Sequence, residues 1–231
     1  MTATFAHRRR TLVDLLPQPS TRARSITRDA ALVVVFAVFT AVLAQIRVNL
    51  AFTPVPITGQ TLGVLLAGTA LGWSRGGLSQ LVYWAAGVFM PVAWYADDKT
   101  GSSVSAGWKV ATGSTAGYLF GFVVAAAAVG YLAERRQDRN MATSVPAMLA
   151  GTAVIYVCGA GWLAHSLNIP VQSDDGVNAL AYGVTPFLVG DLFKLIVAGA
   201  ITPTAWKLAS GRRSGSDSGS DSSSDSSPDN G

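Results

Sequence analysis

The sequence predicts an all-α membrane protein: a bundle of six transmembrane helices with both termini cytoplasmic. Three observations support this. Half of the 231 residues are hydrophobic and only 13% are charged, whereas soluble domains average about 25% charged. The apolar residues fall into six long stretches. Lys and Arg collect on alternate connections between those stretches, the pattern of loops retained on the cytoplasmic side.

A helix standing upright in the bilayer needs about 20 apolar residues, roughly 17–25. The first expected span is 29–48. Arg8, Arg9, Arg10, Arg22, Arg24 and Arg28 precede it. Its full transmembrane length points to a retained span, not a cleaved signal. Within it, Ala37 and Ala41 make a small-xxx-small step that lets helices approach closely, either inside the bundle or against a partner.

The second expected span, 58–73, is short. It is either broken or starts earlier, through Phe52-Thr53-Pro54-Val55-Pro56. Irregular backbone survives at bilayer depth only where protein or a cavity covers it, so a pocket is expected near Pro54 to Gln60. Arg75 follows on the cytoplasmic side.

The third span is expected at 77–95 and the fourth at 110–133. The outer loop between them carries Asp97, Asp98, Lys99 and Lys109. Thr112-Gly113-Ser114-Thr115-Ala116-Gly117-Tyr118 is dense in small and hydroxyl residues. It reads as a closely packed helix start or as a helix N-terminus facing an anion. The basic connection Glu134-Arg135-Arg136-Gln137-Asp138-Arg139 leads to a fifth span at 145–167. Asp174 and Asp175 lie outside, and the sixth span, 184–208, is followed by Arg212 and Arg213.

Three regions result: a basic cytoplasmic segment 1–28, a six-helix membrane domain 29–208, and a Gly/Ser/Asp tail 209–231. The tail cannot bury a core and is expected to be disordered. Its aspartates (Asp217, Asp221, Asp225 and Asp229) mask how basic the rest is, since the net charge is only +4. The arginines flank apolar spans and form no separate domain, so nucleic acid is not an expected partner. Cys158 is the only cysteine, which excludes intramolecular disulfides and Cys-cluster metal sites. No metal and no cofactor are expected.

Asp191 and Lys194 carry the strongest chemical signal. Both lie inside an apolar stretch. A charge at that depth costs at least ~2.5–3.5 kcal/mol and usually marks a substrate or ion path. The i, i+3 spacing puts both on one helical face, where they can neutralise each other. A structural ion pair between helices is the competing explanation. Thr58 and Gln60 follow the Pro54/Pro56 stretch, and the Gln60 amide can both donate and accept. Helix capping by Thr58 and internal packing of Gln60 explain them equally well. Ser114 and His165 do not make a serine protease, because Ser114 does not stand in a Gly-x-Ser-x-Gly pattern and His165 is a lone histidine near a span end. No phosphate-binding loop is present either, so the chain does not hydrolyse ATP itself.

These motifs resemble one family. Pro54-Val55-Pro56-Ile57-Thr58-Gly59-Gln60-Thr61-Leu62-Gly63-Val64-Leu65-Leu66-Ala67-Gly68 is similar to the signature of BioY, the biotin-binding S component of energy-coupling factor transporters. The likeness continues through Leu71 to Ser79 and Leu81-Val82-Tyr83, and again at Ala116 to Phe122. It returns at Thr185-Pro186-Phe187-Leu188-Val189-Gly190-Asp191-Leu192-Phe193-Lys194. It covers roughly residues 26–209.

The resemblance implies a plasma-membrane protein that captures biotin from outside. It further implies docking with a transmembrane coupling protein and two ATPases. Members thought to work without the ATPases make that module less firmly implied than the ligand. The family's Gly-Asp-x-x-Lys element falls on Asp191 and Lys194: the first is expected to accept a ureido N–H, the second to donate to a biotin oxygen. Thr58, Gln60, Thr115, Tyr118 and Trp94 complete the expected biotin site, with Trp94, Tyr118 or Phe187 as apolar wall. Ala37 and Ala41 look like the docking positions. The chain departs from the family at Gly113-Ser114-Thr115-Ala116-Gly117-Tyr118, where Gly-Pro-Thr-Gly-Gly-Tyr is usual. It departs again at Gly59, where Leu is usual. The outer loop 96–110 reads as a lid. Two alternatives stand: another vitamin-specific S component, and a proton-coupled secondary carrier with Asp191 as its proton site.

Overall fold

The computed structural model describes residues 11–16, 20–89, 94–95, 104–173 and 177–217, with backbone alone for 104–106 and 209–217. It is mostly helical. The elements are α1 (Arg22–Ala44), β1 (Arg47–Val48), β2 (Ile57–Thr58), α2 (Gln60–Leu71) and α3 (Trp73–Phe89). They continue with α4 (Val104–Thr112), α5 (Ala116–Glu134), α6 (Met141–Leu167), α7 (Ala179–Gly183) and α8 (Leu188–Asp217). A 3-10 turn, Thr185–Phe187, joins α7 to α8. A second, Leu12–Leu15, precedes α1. The loops with Asp97, Asp98, Asp174 and Asp175 lie outside the described residues, as do Arg8, Arg9, Arg10 and the tail beyond 217.

Four stretches are long and apolar enough to cross a membrane: Arg22–Ala44, Ala116–Glu134, Met141–Leu167 and Ala179–Leu208. The α2 helix has only 12 residues, about 18 Å at 1.5 Å per residue. The chain before it is not helical. Instead β1 and β2 pair antiparallel, Arg47 with Thr58 and Val48 with Ile57, so part of the backbone there bonds to itself. The region expected as one fourth span is broken at Gly113–Thr115 into α4 and α5. The α8 helix continues beyond 208, where the sequence ends the membrane domain.

Helices in lipid gain little from the hydrophobic effect against each other, so close packing and hydrogen bonds must hold them. Glycines supply the closeness. A Cβ at Gly68 on α2 would lie 2.6 Å from the Ala126 carbonyl oxygen on α5. Gly72 joins α2 to α3 at φ +86, a conformation open to glycine and costly for other residues. The buried stripe of α8 runs Asp191, Leu195, Ala198, Thr202, Trp206, with helical spacing. Asp191 stands at its head, on the face turned into the bundle.

One end of the bundle is polar and tied across several elements. Arg75 pairs with Asp14 at 2.8 Å and with Asp29 at 3.1 Å. The Glu134 carboxylate, at the end of α5, accepts the Trp73 N–H at 3.2 Å. Trp206 donates its indole N–H to buried Asp138 at 2.5 Å, with the Arg139 guanidinium over its ring. These contacts place the start of α1, the α2–α3 junction, the α5–α6 connection and the part of α8 around Trp206 at one level.

Candidate functional site

At the opposite end a cavity opens among the β-hairpin, α2, α5, α6 and α8. Pro54, Val55, Pro56 and Thr58 line it. The pocket expected near Pro54 to Gln60 therefore lies there. The hairpin is fastened over it by the Thr53 hydroxyl, which donates to the Tyr182 carbonyl at 2.6 Å.

Asp191 and Lys194 face this cavity from α8. The ammonium lies 2.6 Å from Asp191 Oδ1 and 3.1 Å from the Thr61 hydroxyl oxygen. The Thr61 hydroxyl donates to the same Oδ1 at 3.3 Å. The Tyr156 hydroxyl, from α6, donates to Asp191 Oδ2 at 2.6 Å. Three helices thus meet on one carboxylate that is 4% exposed. A buried charge is tolerable only when paired and hydrogen-bonded, and this one is both.

The other expected site residues fall into two groups. Thr58, Gln60, Thr115, Tyr118 and Phe187 line the cavity together with the pair. The Gln60 amide is already committed: its Oε1 accepts the Thr58 hydroxyl at 2.7 Å and its Nε2 donates to Tyr83 Oη at 2.5 Å. Tyr118 donates its hydroxyl to the Gly183 carbonyl at 2.8 Å, and its ring packs where Gly159 leaves room. Trp94 does not line the cavity. It stacks behind it on Tyr83, ring centroids 5.8 Å apart, and donates its indole N–H to the Tyr83 carbonyl. The next residue, Tyr95, forms the wall instead. Trp108 is exposed and, like Lys109, is not a wall residue.

Ala37 and Ala41 need correction as docking positions. Both are buried, on the α1 face that also carries Val33, Thr40 and Ala44. The face α1 turns outward is Val34, Val35, Val38 and Val42. The small-xxx-small step serves packing inside the bundle.

Sequence reasoning missed Tyr156, Tyr95, Phe122 and Ile155 as wall residues. A tyrosine in the middle of an otherwise apolar span was the available signal for Tyr156. Among the described residues no group of three or more His, Cys, Asp or Glu side chains could hold a metal ion.

Comparison with known proteins gives a consistent result. Residues 12–211 match the family model described as the BioY family. The biotin transporter BioY of Rhizobium etli is 32% identical over 184 residues, covering 76% of this chain and 91% of that protein. The biotin transporter BioY of Thermotoga maritima is 34% identical over 173 residues, covering 74% of this chain and 93% of that protein. Among solved structures, the crystal structure at 2.1 Å of the S-component for biotin from an ECF-type ABC transporter superposes with a TM-score of 0.66 at 22% identity. The match covers 82% of this chain and 95% of that one. At that identity the likeness speaks for the fold.

Proposed function

This chain belongs to the BioY family, and from that premise we propose that it captures biotin in the cavity beside Asp191 and Lys194 and supports its import. It is a multi-pass bacterial plasma membrane protein with a transport role, not an enzyme.

The observation that carries the reading is a count of unused bonding capacity. An ammonium has three N–H donors and a carboxylate has about four acceptor positions. Lys194 spends two donors on Asp191 and Thr61. Asp191 accepts Lys194 and Thr61 on Oδ1 and Tyr156 on Oδ2. One N–H and one Oδ2 position remain, on two side chains that both line the cavity. That is the complement of a ring amide edge, where an N–H and a C=O stand side by side. The ureido ring of biotin has such an edge. Asp191 then accepts the ureido N–H and Lys194 donates to the ureido carbonyl. Thr58, Gln60, Thr115 and Tyr118 frame the rest of the ligand, with Tyr95 and Phe187 as apolar wall.

Six spans are proposed: α1, α2 with its hairpin, α3, α5, α6 and α8. The contacts of Arg75, Glu134 and Asp138 gather Arg28, Arg75, Arg135, Arg136 and Arg139 near one end. The positive-inside rule makes that end cytoplasmic, with both termini there and the cavity opening outside. A transmembrane coupling protein and two ATPases are the proposed energy-supplying partners. Ala37 and Ala41, being buried, do not form the surface those partners meet. A proton-coupled carrier is less well supported, since the Asp191 side chain is held by an ammonium and two hydroxyls within the cavity wall. The deciding experiment is a calorimetric titration of detergent-purified protein with biotin, with thiamine and riboflavin as controls. Heat with biotin alone is expected; heat with another vitamin, and none with biotin, overturns the reading.

A further inference from the structure

Tyr156 is the one group in the α2–α6–α8 cluster with no evident place in the exchange of charge between Asp191 and Lys194. Its position is nevertheless specific. It lines the cavity, and its hydroxyl meets Asp191 on the oxygen that Lys194 and Thr61 leave alone. The terminal torsion of an aspartate is broad, so contacts at one oxygen leave the carboxylate plane free to swing. Lys194 and Thr61 both act at Oδ1. Among the described residues, only Tyr156 acts at Oδ2.

We infer that Tyr156 is a positioning residue for ligand recognition: by donating to Asp191 Oδ2 it sets the carboxylate plane so that the last open Oδ2 position faces the cavity beside the unused Lys194 N–H. This deepens the biotin reading above and rests on it. It assigns a task to each oxygen: Oδ1 holds the ion pair, and Oδ2 is shared between Tyr156 and the ligand. Tyr156 acts through Asp191 and does not itself bond the ureido ring. The aspartate rotamer is thus fixed from a neighbouring helix before the ligand arrives, which lowers the ordering cost of binding.

The test is a cycle read by calorimetry on purified protein. Tyr156→Phe, which keeps the ring and loses the hydroxyl, is expected to weaken biotin binding roughly tenfold, a shift of the size a lost hydrogen bond to a charged group produces. Biotinamide, altered only in the tail, should show the same loss. Biotin derivatives methylated at one or the other ureido nitrogen provide the discriminating readout. For the derivative lacking the N–H that faces Asp191, Tyr156→Phe should change affinity by less than about twofold, because the two donors no longer share an oxygen. Tyr156→Met serves as the second variant should the Phe variant not fold. An unchanged biotin affinity in the variant overturns the inference, since the retained ring would then suffice by packing alone, as does an equal loss with both methyl derivatives, which would mean that the hydroxyl acts otherwise than through the Asp191 oxygen that the ureido N–H meets. A wild-type protein that ignores biotin would remove the proposed function itself, a separate outcome visible in the first titration.

Discussion

Lys194 Nζ stands 2.6 Å from Asp191 Oδ1, and the two side chains leave α8 one turn apart on the same face. The pair is thus neutral as a unit before any ligand arrives. It is also incomplete as a bonding unit, and the proposed biotin site rests on that incompleteness.

Asp191→Asn is expected to weaken biotin binding. It exchanges a hydrogen bond to a charged acceptor, worth roughly 1.5–3 kcal/mol, for a neutral one. The difference of about 1–1.5 kcal/mol should raise the dissociation constant by about tenfold. Calorimetry on purified protein measures it, and an unaltered constant takes Asp191 out of the site.

Lys194→Met should destabilise the fold as well as abolish binding. It leaves the carboxylate of Asp191, 4% exposed, without its counter-charge. Breaking a buried pair from one side costs about 3–5 kcal/mol, whereas removing both charges is often close to neutral. The double variant Asp191→Asn/Lys194→Met should therefore melt above the single Lys194→Met variant while still failing to bind biotin. A double variant that melts no higher than the single one refutes the coupling.

At the opposite end, pH resolves the Asp14–Arg75 contact. Burial alone would raise the proton affinity of Asp14. The backbone hydrogen bond from Thr11 and the Arg75 guanidinium outweigh it, holding the carboxyl below its ordinary range. A carboxyl lowered on folding adds stability above its unfolded value of about 3.9 and loses it as pH falls below that, through the folded value. Asp14→Asn should thus melt below wild type at pH ~7 and converge with it below pH ~4. A gap that persists unchanged down to pH ~3 means the side chain acts by shape, not charge.

Trp206→Phe should loosen the part of α8 around that residue. It removes the indole donor to Asp138, a carboxyl that burial pushes up and this bond helps bring down. Leaving a buried acceptor short of a partner costs about 1–3 kcal/mol. Thermal unfolding should register the loss. Biotin affinity should change far less than in Asp191→Asn, and an equal effect on both would contradict the separation of the two ends.

The sequence made some of this legible for identifiable reasons. Asp191 and Lys194 are three positions apart on one helix, so their meeting follows from helix geometry alone. The cavity beside Pro54 to Gln60 followed from two prolines and a span too short to cross. Tyr156 could not be placed in the same way, because it lies 35 positions from Asp191 and reaches it only through the packing of α6 on α8. Ala37 and Ala41 were misassigned because α1 is apolar on every side. Its sequence does not say which face turns inward, and the inward face has both alanines. Trp94 and Tyr95 are neighbours in a turn, outside any helical register that could have told wall from backing. The strands β1 and β2, two residues each, are too short to leave a periodic trace.

Gln60 joins Thr58 at the cavity to Tyr83 behind it, and Tyr83 carries the indole of Trp94 stacked on its ring. A ligand at the proposed site that displaces Gln60 is expected to shift the Tyr83 phenol and with it the surroundings of the Trp94 indole, and a change in tryptophan emission on adding biotin checks this.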